Sequence, residues 1–201
     1  LKLILYFMAD FEEKQRAPDR EEVLSFFWEV VKVVVLALAI IVPVRYYLFQ
    51  PFFVKGASME PNFHDGDYVL IDEITYRFRE PQRGEIVIFR SPQDRSQFFI
   101  KRVIGLPGEQ IQIKNSRVTI FNEQNRKGFA LDESDYLEVD VPTSGSLKAE
   151  VGSNEFFVLG DNRLHSSDSR LWGNVNKSLI TGRVLLRAWP LDKITKFEPV
   201  I

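Results

Sequence analysis

The sequence predicts a mainly β protein, in which an antiparallel β-sheet domain with a smaller β insertion follows one N-terminal transmembrane helix. Three observations lead to this prediction. An apolar segment stands out at residues 26–53, and short β-branched and aromatic runs separated by Gly, Pro, Asn or Asp follow it. In addition, 45% of the residues are apolar, which is enough apolar surface to offset the entropy of ordering the backbone. A chain of 201 residues with this composition accommodates one main core.

The apolar segment reaches the length of a membrane anchor only when its polar flanks are included. Its uncharged centre, Val33–Val44, has twelve residues, whereas a bilayer core takes about 20 helical residues. Glu29 and Lys32 lie three residues apart and can pair on one helix face, and long basic side chains near the ends can reach the headgroups. We therefore predict a transmembrane anchor helix at residues 25–49. A buried core helix is the alternative.

A cleavable signal peptide is a further alternative for this segment, but it would need small residues just after the apolar run. Pro43, Val44 and Arg45 stand there instead, so the segment is expected to stay attached. Basic residues are more frequent before the apolar centre than just after it. They are Lys14, Arg16, Arg20 and Lys32 on one side and Arg45 and Lys55 on the other. Residues 1–24 are therefore predicted to be a cytoplasmic N-terminal segment, and residues 50–201 an exported domain; residues 1–7, before Met8, are expected to be upstream translation.

Short runs with strand composition occupy the rest of the chain. They are residues 67–78, 84–90, 98–105, 109–114, 117–122, 136–141 and 155–162. The fourth and fifth runs flank Asn115-Ser116 and predict a hairpin. Residues 122–150 are richer in Glu, Asp, Ser and Gly and less periodic, so we predict a small insertion lobe at approximately residues 112–154.

Charge and composition exclude several classes of function. The net charge is −2, and no run of Lys and Arg could neutralise a phosphate backbone, so nucleic-acid binding is not expected. The absence of Cys excludes disulfides, thiolate chemistry and Cys-ligated zinc. With only two His residues, a metal site could only be rich in carboxylates, and no metal site and no cofactor are predicted.

One candidate nucleophile is Ser58, which lies between small residues in "GASMEP" (residues 56–61). A serine hydroxyl needs a neighbouring base to remove its proton. His64 lies in a predicted turn and His165 in a polar loop, and either would need the fold to bring it to Ser58. The G-x-S-x-G motif of one class of histidine-dependent hydrolases is absent.

Another candidate base is Lys101, in the middle of the apolar strand "FFIKRVIG". Alternation along a strand lets either Lys101 or Arg102 point inward, but not both. Burial would lower the pKa of the lysine, and a neutral amine near pH 7 to 8 costs roughly 3.5 to 4 kcal/mol, which is within the range of buried lysines. The alternative is a lysine that faces solvent, and the strand considered alone favours that alternative.

Several segments in this order resemble the conserved boxes of type I bacterial signal peptidases. After the anchor come "GASMEP", then "GDYVLIDEITYRFREPQRGEIVIFR", "FIKRVIGLPGE" and "LGDNRLHSSDSRLWG". The resemblance spans about residues 25–189 and is weak only at residues 122–150. It implies the signal-peptidase/LexA-like β fold and a membrane-bound serine endopeptidase that removes signal peptides from exported preproteins.

The resemblance also implies roles for individual residues. Ser58 matches the nucleophile, Lys101 the general base, and Ser166 the serine that hydrogen-bonds to the lysine and orients it. Two structural ion pairs are implied, Arg102 with Asp161 and Asp168 with Arg170. Matching positions for the walls of the substrate pocket are Phe52, Val54, Met59, Phe63, Phe99 and Ile100. Bulky walls make shallow pockets, which favours small residues at the first and third positions before the cut.

Two positions depart from the family pattern. Many members carry a hydroxyl residue where this chain has Gly56, so the oxyanion hole is expected to use the Ser58 N–H and a second, unidentified donor. Asn62 stands where the family has threonine, with no evident consequence.

The expected partners are preprotein signal peptides and a lipid bilayer, in a monomer located in the cell membrane or a thylakoid membrane. Two alternatives stay open. A self-cleaving Ser-Lys repressor would need a DNA-binding helical domain, for which residues 1–24 are too short and too acidic. A membrane-tethered β binding or scaffold module would leave Lys101 in solvent.

Overall fold

The computed structural model of the protein describes residues 19–47, 49–138 and 141–197. The chain divides into two compact units, residues up to Val44 and residues from Arg45 onward. The described residues of the first unit form a long helix, α1 (Arg20–Tyr47), whose last residues belong to the second unit. The part of α1 from Arg20 to Val42 is long and apolar enough to cross a membrane, with a mean hydropathy of 2.3. The helix overlaps the predicted anchor at residues 25–49 and begins before it; the polar segment predicted before residue 19 lies outside the described residues.

The second unit is built from antiparallel strands. They are β1 (Phe49–Phe53), β2 (Tyr68–Asp72), β3 (Ile86–Arg90), β4 (Phe98–Gly105), β5 (Gln110–Lys114), β6 (Arg117–Phe121), β7 (Phe129–Ala130), β8 (Leu147–Glu150), β9 (Glu155–Leu159), β10 (Val175–Asn176), β11 (Ile180–Trp189) and β12 (Thr195–Lys196), with a short helix α2 (Ser169–Trp172). One sheet has the order β1-β2-β11-β3-β4-β9-β10, with β12 paired to β11, and the other has the order β7-β6-β5-β8. The prediction of a mainly antiparallel β protein after one N-terminal apolar helix is confirmed.

The small sheet, β7-β6-β5-β8, contains the predicted hairpin. Strands β5 and β6 pair in register from Gln110 with Phe121 to Lys114 with Arg117. The two residues between them, Asn115 and Ser116, have φ values of 51° and 62°, which is the backbone that a type I′ turn requires. Its strands run from Gln110 to Glu150, so the sheet overlaps the segment predicted as an insertion, residues 112–154, and begins two residues before it.

Six of the seven predicted runs contain a strand. The prediction of a strand at residues 136–141 is wrong for the residues of this run that the structure describes. Tyr136 and Leu137 lie in a turn closed by bonds from their N–H groups to the Glu133 carbonyl, with both side chains buried. Residues 139 and 140 lie outside the described residues. The longest strand, β11, was missed because Gly182 and two arginines interrupt its apolar pattern.

Alternation along β4 places its two basic residues on opposite faces of the large sheet. Phe99 and Val103 pack with one buried cluster, while Ile100 belongs to another. Because side chains alternate along a strand, Lys101 shares its face with Phe99 and Val103, and Arg102 shares its face with Ile100. Both basic residues are nevertheless buried, which differs from the expectation that only one of them would be.

One edge of β4 is open along half of its length. The strand pairs with β3 from Phe98 to Arg102, but its pairing with β9 begins only at Arg102. Among the described residues, no strand covers the other side of Phe98–Lys101. The backbone groups of this open edge have no partner strand and lie next to the residues that the sequence singled out.

Candidate active site

The fold brings Ser58 and Lys101 into contact. Ser58 lies in the loop between β1 and β2, and the Lys101 Nζ is 2.7 Å from the Ser58 Oγ. The amine also donates to the Ile100 carbonyl at 2.8 Å. Lys101 is 3% exposed, so its charged form has lost almost all of its hydration.

Burial lowers the pKa of Lys101 from 10.5 to about 8, while the more distant carboxylates of Asp168 and Asp161 act in the opposite direction. Among the described residues, Lys101 forms no ion pair that would hold its proton. The amine is therefore neutral in an appreciable fraction of molecules near pH 7 to 8, and a neutral amine can accept the proton of a serine hydroxyl.

The loop that carries Ser58 is fastened to the segment after β9. Asn162 donates from its backbone N–H to the Ser58 carbonyl at 3.1 Å and from its Nδ2 to the Ala57 carbonyl at 3.0 Å. The Gly56 N–H donates to Asp65 Oδ1 at 2.7 Å, and the φ of Gly56 is 82°, a backbone that favours glycine. Sequence reasoning missed Asn162, because nothing in the chain indicates which carbonyl groups its amide reaches.

The two expected ion pairs flank this segment. Arg102 binds Asp161 through two hydrogen bonds of 2.8 and 2.6 Å and donates to the Gly84 carbonyl at 2.8 Å. Its guanidinium also lies over the Tyr136 ring, 4.0 Å from the ring centroid. Asn62 donates to Asp161 Oδ2 at 2.9 Å and to the Tyr136 carbonyl, so the residue that departs from the family pattern joins this network.

The second pair, Asp168 with Arg170, fixes the end of the same segment. Arg170 contacts both carboxylate oxygens of Asp168 at 2.8 Å, and Asp168 also accepts from the Gly160 N–H at 3.1 Å. Both pairs are therefore built into the backbone around residues 160–170. Their role in holding the shape of the site stays a prediction.

Ser166 does not make the hydrogen bond that was expected of it. Its Oγ is buried without a hydrogen-bond partner, so the expected bond to Lys101 is absent in this structure. A Cβ added at Gly160 would lie 2.2 Å from this Oγ and 2.4 Å from the Ser58 carbonyl oxygen. Ser166 is therefore packed beside the nucleophile loop, and Lys101 instead donates its second hydrogen bond to its own strand.

Neither histidine ring is hydrogen-bonded to the Ser58 hydroxyl among the described residues. Both histidines are exposed. The Nδ1 of His165 is 3.3 Å from Asn162 Oδ1. A histidine base is thus disfavoured by the geometry.

A cavity of about 570 Å³ opens beside the Ser58–Lys101 pair. Four of the six predicted wall residues line it: Phe52, Val54, Phe99 and Ile100. The residues that were not predicted are Phe53, Lys55, Val69, Ile88, Gln97 and Phe98. The strand register could have found Ile88, because it pairs with Ile100 on the neighbouring strand.

Met59 and Phe63 do not line this cavity, and their assignment to its walls is corrected. Both are 0% exposed and belong to the buried cluster that also contains the cavity residues Val54 and Ile100. The Phe63 N–H donates to the Met59 carbonyl at 2.9 Å, which makes a turn that directs both side chains into the core. Both side chains pack in the core and thereby fix the position of the loop that carries Ser58.

Among the residues that the structure describes, no group of three His, Asp or Glu side chains is placed to hold a metal ion.

Comparison with known proteins gives matches over most of the chain. Residues 27–189 match the family model described as "Signal peptidase, peptidase S26". The chain is 34% identical over 193 residues to the "Probable signal peptidase I-2" of Synechocystis sp., covering 93% of this chain and 83% of that protein. It is 31% identical to the "Signal peptidase I" of Leptolyngbya laminosa, covering 92% of this chain and 91% of that protein. A solved signal peptidase I structure from Enterococcus faecalis is 29% identical, covers 52% of this chain and 97% of that one, and superposes with a TM-score of 0.43.

Proposed function

The chain belongs to the signal peptidase family, peptidase S26, and we propose that it is a membrane-bound serine endopeptidase that cleaves signal peptides from exported preproteins with Ser58 as nucleophile and Lys101 as general base. The contact that carries the proposal is the 2.7 Å distance between the Lys101 Nζ and the Ser58 Oγ. A buried lysine beside a serine supplies the base that the hydroxyl needs, and no other basic side chain of the described residues is hydrogen-bonded to the Ser58 Oγ.

The reaction follows from the state of the amine. Neutral Lys101 takes the proton of Ser58 while the Ser58 Oγ attacks the peptide carbonyl carbon, and the resulting ammonium then gives a proton to the departing amine. Water hydrolyses the acyl-enzyme, with Lys101 again accepting a proton. The pKa of about 8 suits both steps, because a base works best when its pKa is close to the working pH.

The oxyanion of the tetrahedral intermediate needs donors near Ser58. The Ser58 N–H makes no hydrogen bond among the described residues, so it is free to donate to the oxyanion. The Gly56 N–H is occupied by Asp65 and is not the second donor. Removal of one oxyanion-hole donor costs about 10²- to 10³-fold in kcat, which sets the scale for the contribution of this N–H.

The substrate is proposed to bind as an added strand along the open edge of Phe98–Lys101. Unpaired backbone groups there can pair with an extended peptide, while alternate side chains of the peptide enter the cavity. The aromatic and aliphatic walls leave room for small side chains such as alanine at the first and third positions before the cut. Phe99 and Ile100 are the wall residues on the strand itself.

The membrane location is proposed from α1 and from the surface of the second unit. A single segment, Arg20–Val42, meets the length and hydropathy of a membrane span in the described chain. Phe53 and Trp189 are 66% and 56% exposed, on strands that both pair with Tyr68. We propose that this aromatic row contacts lipid, in a monomer whose N-terminus is cytoplasmic and whose catalytic domain is on the exported side of a cell or thylakoid membrane.

The test uses the full chain, solubilised in detergent, with a preprotein substrate. Wild type is expected to release the mature protein, and Ser58→Ala and Lys101→Ala each to lose at least about 10³-fold in kcat/KM. Lys148→Ala, which changes an exposed lysine of the small sheet, is the control. Cleavage by both site variants at the wild-type rate would remove the Ser-Lys mechanism, and loss in His165→Ala alone would favour a triad. A binding or scaffold module predicts that wild type does not cleave at all.

A further inference from the structure

The segment after β9 holds the peptide group that precedes the nucleophile. Asn162 Nδ2 donates to the Ala57 carbonyl at 3.0 Å, across 105 positions of sequence. The Glu60 N–H donates to the same oxygen at 3.2 Å. Two donors therefore fix where the Ala57 carbonyl points.

The orientation of the Asn162 amide follows from its other neighbour. The His165 N–H donates to the Asn162 backbone carbonyl at 3.1 Å and also lies 3.3 Å from the end of the Asn162 side chain. A backbone N–H can only donate, so the side-chain atom that faces it is the Oδ1. The atom that faces Ala57 is then the Nδ2, a donor that matches the carbonyl. Both ends of the amide are satisfied in one orientation only.

The Ala57 carbonyl and the Ser58 N–H belong to the same peptide group. A trans peptide is planar, with its C=O and N–H pointing in opposite directions, so a donor that fixes one of them fixes the other. The Ser58 N–H is the group that makes no hydrogen bond among the described residues. Resting on the proposed function, we infer that Asn162 is a positioning residue that aims the Ser58 N–H at the oxyanion of the intermediate.

Asn162 can hold this peptide because both of its sequence neighbours are anchored. Asp161 is bound by Arg102 in a buried ion pair. Arg163, which is 1% exposed, donates from Nε to the Gly160 carbonyl at 3.0 Å and from Nη1 to Glu133 at 2.9 Å. The amide of Asn162 thus extends from a backbone that buried charges fix on each side.

Two ligands can show whether Asn162 acts on the oxyanion or on peptide binding in general. The first is a signal-peptide fragment ending in an alanine aldehyde. The Ser58 Oγ adds to its carbonyl carbon, the carbon–oxygen π bond becomes the oxyanion, and the Oγ proton passes to Lys101. The second is the same peptide ending in an amide, which fills the same cavity without forming the adduct.

Asn162→Ala removes the donor without adding charge, and Asn162→Asp keeps the shape and the acceptor toward His165. For both variants we expect kcat and the affinity for the aldehyde to fall by about 10- to 100-fold, while the affinity for the amide changes by less than about threefold. The apparent pKa read from the acid side of the kcat/KM pH profile should be the same in Asn162→Ala as in wild type, because the substitution does not change Lys101. Asn125→Ala, in an exposed turn of the small sheet, is the control.

Equal losses of affinity for aldehyde and amide, or wild-type affinity for the aldehyde, would overturn the inference. Thermal unfolding of each variant shows whether it is folded at the assay temperature, and the Asp variant keeps the test valid if the Ala variant is not. Wild type that neither cleaves a preprotein nor binds the aldehyde would instead contradict the proposed function. The two failures are therefore distinguishable.

Discussion

Lys101 and Arg102 are neighbours on β4, are both 3% exposed, and yet have opposite surroundings. Arg102 meets the two oxygens of Asp161 and the Gly84 carbonyl on one face of the sheet. Lys101, on the other face, contacts one hydroxyl and one carbonyl, and no carboxylate of the described residues pairs with it. Equal burial therefore accompanies a carboxylate ion pair at Arg102 and a pKa lowered to about 8 at Lys101.

The comparison shows that the partner, and not burial alone, decides what a buried cation does. A guanidinium keeps its proton in proteins, so burying it calls for a carboxylate. An ammonium can lose its proton instead, and the cost of desolvation becomes a lowered pKa. One face of β4 is thus stabilised by an ion pair, while the other keeps a base available for chemistry.

The largest expected effect on stability is that of Arg102→Met. It leaves the Asp161 carboxylate, whose side chain is 0% exposed, without its charged partner, and breaking such a buried pair costs about 3 to 5 kcal/mol. Denaturant unfolding of the detergent-solubilised chain measures this loss. The double variant Arg102→Met with Asp161→Leu should recover most of it, since no charge is left unpaired. A loss below about 1 kcal/mol in the single variant would mean that the pair is not buried as described.

The second variant, Lys101→Met, replaces the neighbouring residue, and we expect it to raise the free energy of unfolding rather than lower it. Near pH 7 the folded chain must either keep Lys101 charged in an apolar site or release its proton. Either choice lowers the stability of the folded state by about 3 kcal/mol, and Lys101→Met removes this cost. The variant should therefore be inactive but more stable than wild type.

The stability gained by Lys101→Met should depend on pH, which provides a control. The folded-state pKa of Lys101, about 8, lies below the value of 10.5 for the free side chain, so between these values the unfolded chain binds more protons. Wild-type stability should rise with pH across this window, and the advantage of Lys101→Met should shrink. A variant that is less stable than wild type near pH 7 would contradict the difference between the two faces.

The smallest effect concerns a cation outside the core. Lys177 forms an ion pair with Glu80, and their side chains are 32% and 60% exposed. Solvent screens such a pair, so Lys177→Ala should change the free energy of unfolding by less than about 1 kcal/mol. A larger change, measured in the same unfolding series, would show that ion pairing stabilises this protein irrespective of burial.

The sequence predicted the strands whose apolar residues alternate, such as β5 and β6, because a half-buried strand needs that pattern. It missed β11, whose arginines and Gly182 break the pattern although the strand lies between β2 and β3. It also assigned a strand to Tyr136 and Leu137, whose apolar character reflects packing from a turn.

The residues of the candidate site were harder to predict from the sequence than the strands. Ser58 and Lys101 were selected through a family resemblance, since the strand pattern by itself could not tell whether Lys101 faces solvent. The missing Ser166 bond, the burial of Met59 and the contacts of Asn162 depend on distances between segments far apart in the chain. Local patterns carry no information about such distances.

The most direct test of the account is the pKa of Lys101 itself. NMR of the detergent-solubilised chain with isotope-labelled lysine, assigned by comparison with Lys101→Met, gives this value as the pH is raised. Burial of the amine predicts a pKa of about 8, and kcat/KM for a preprotein should rise about tenfold per pH unit below this value and level off above it. A pKa near 10.5, the value of a lysine in water, would contradict the claim that burial makes Lys101 the base for Ser58.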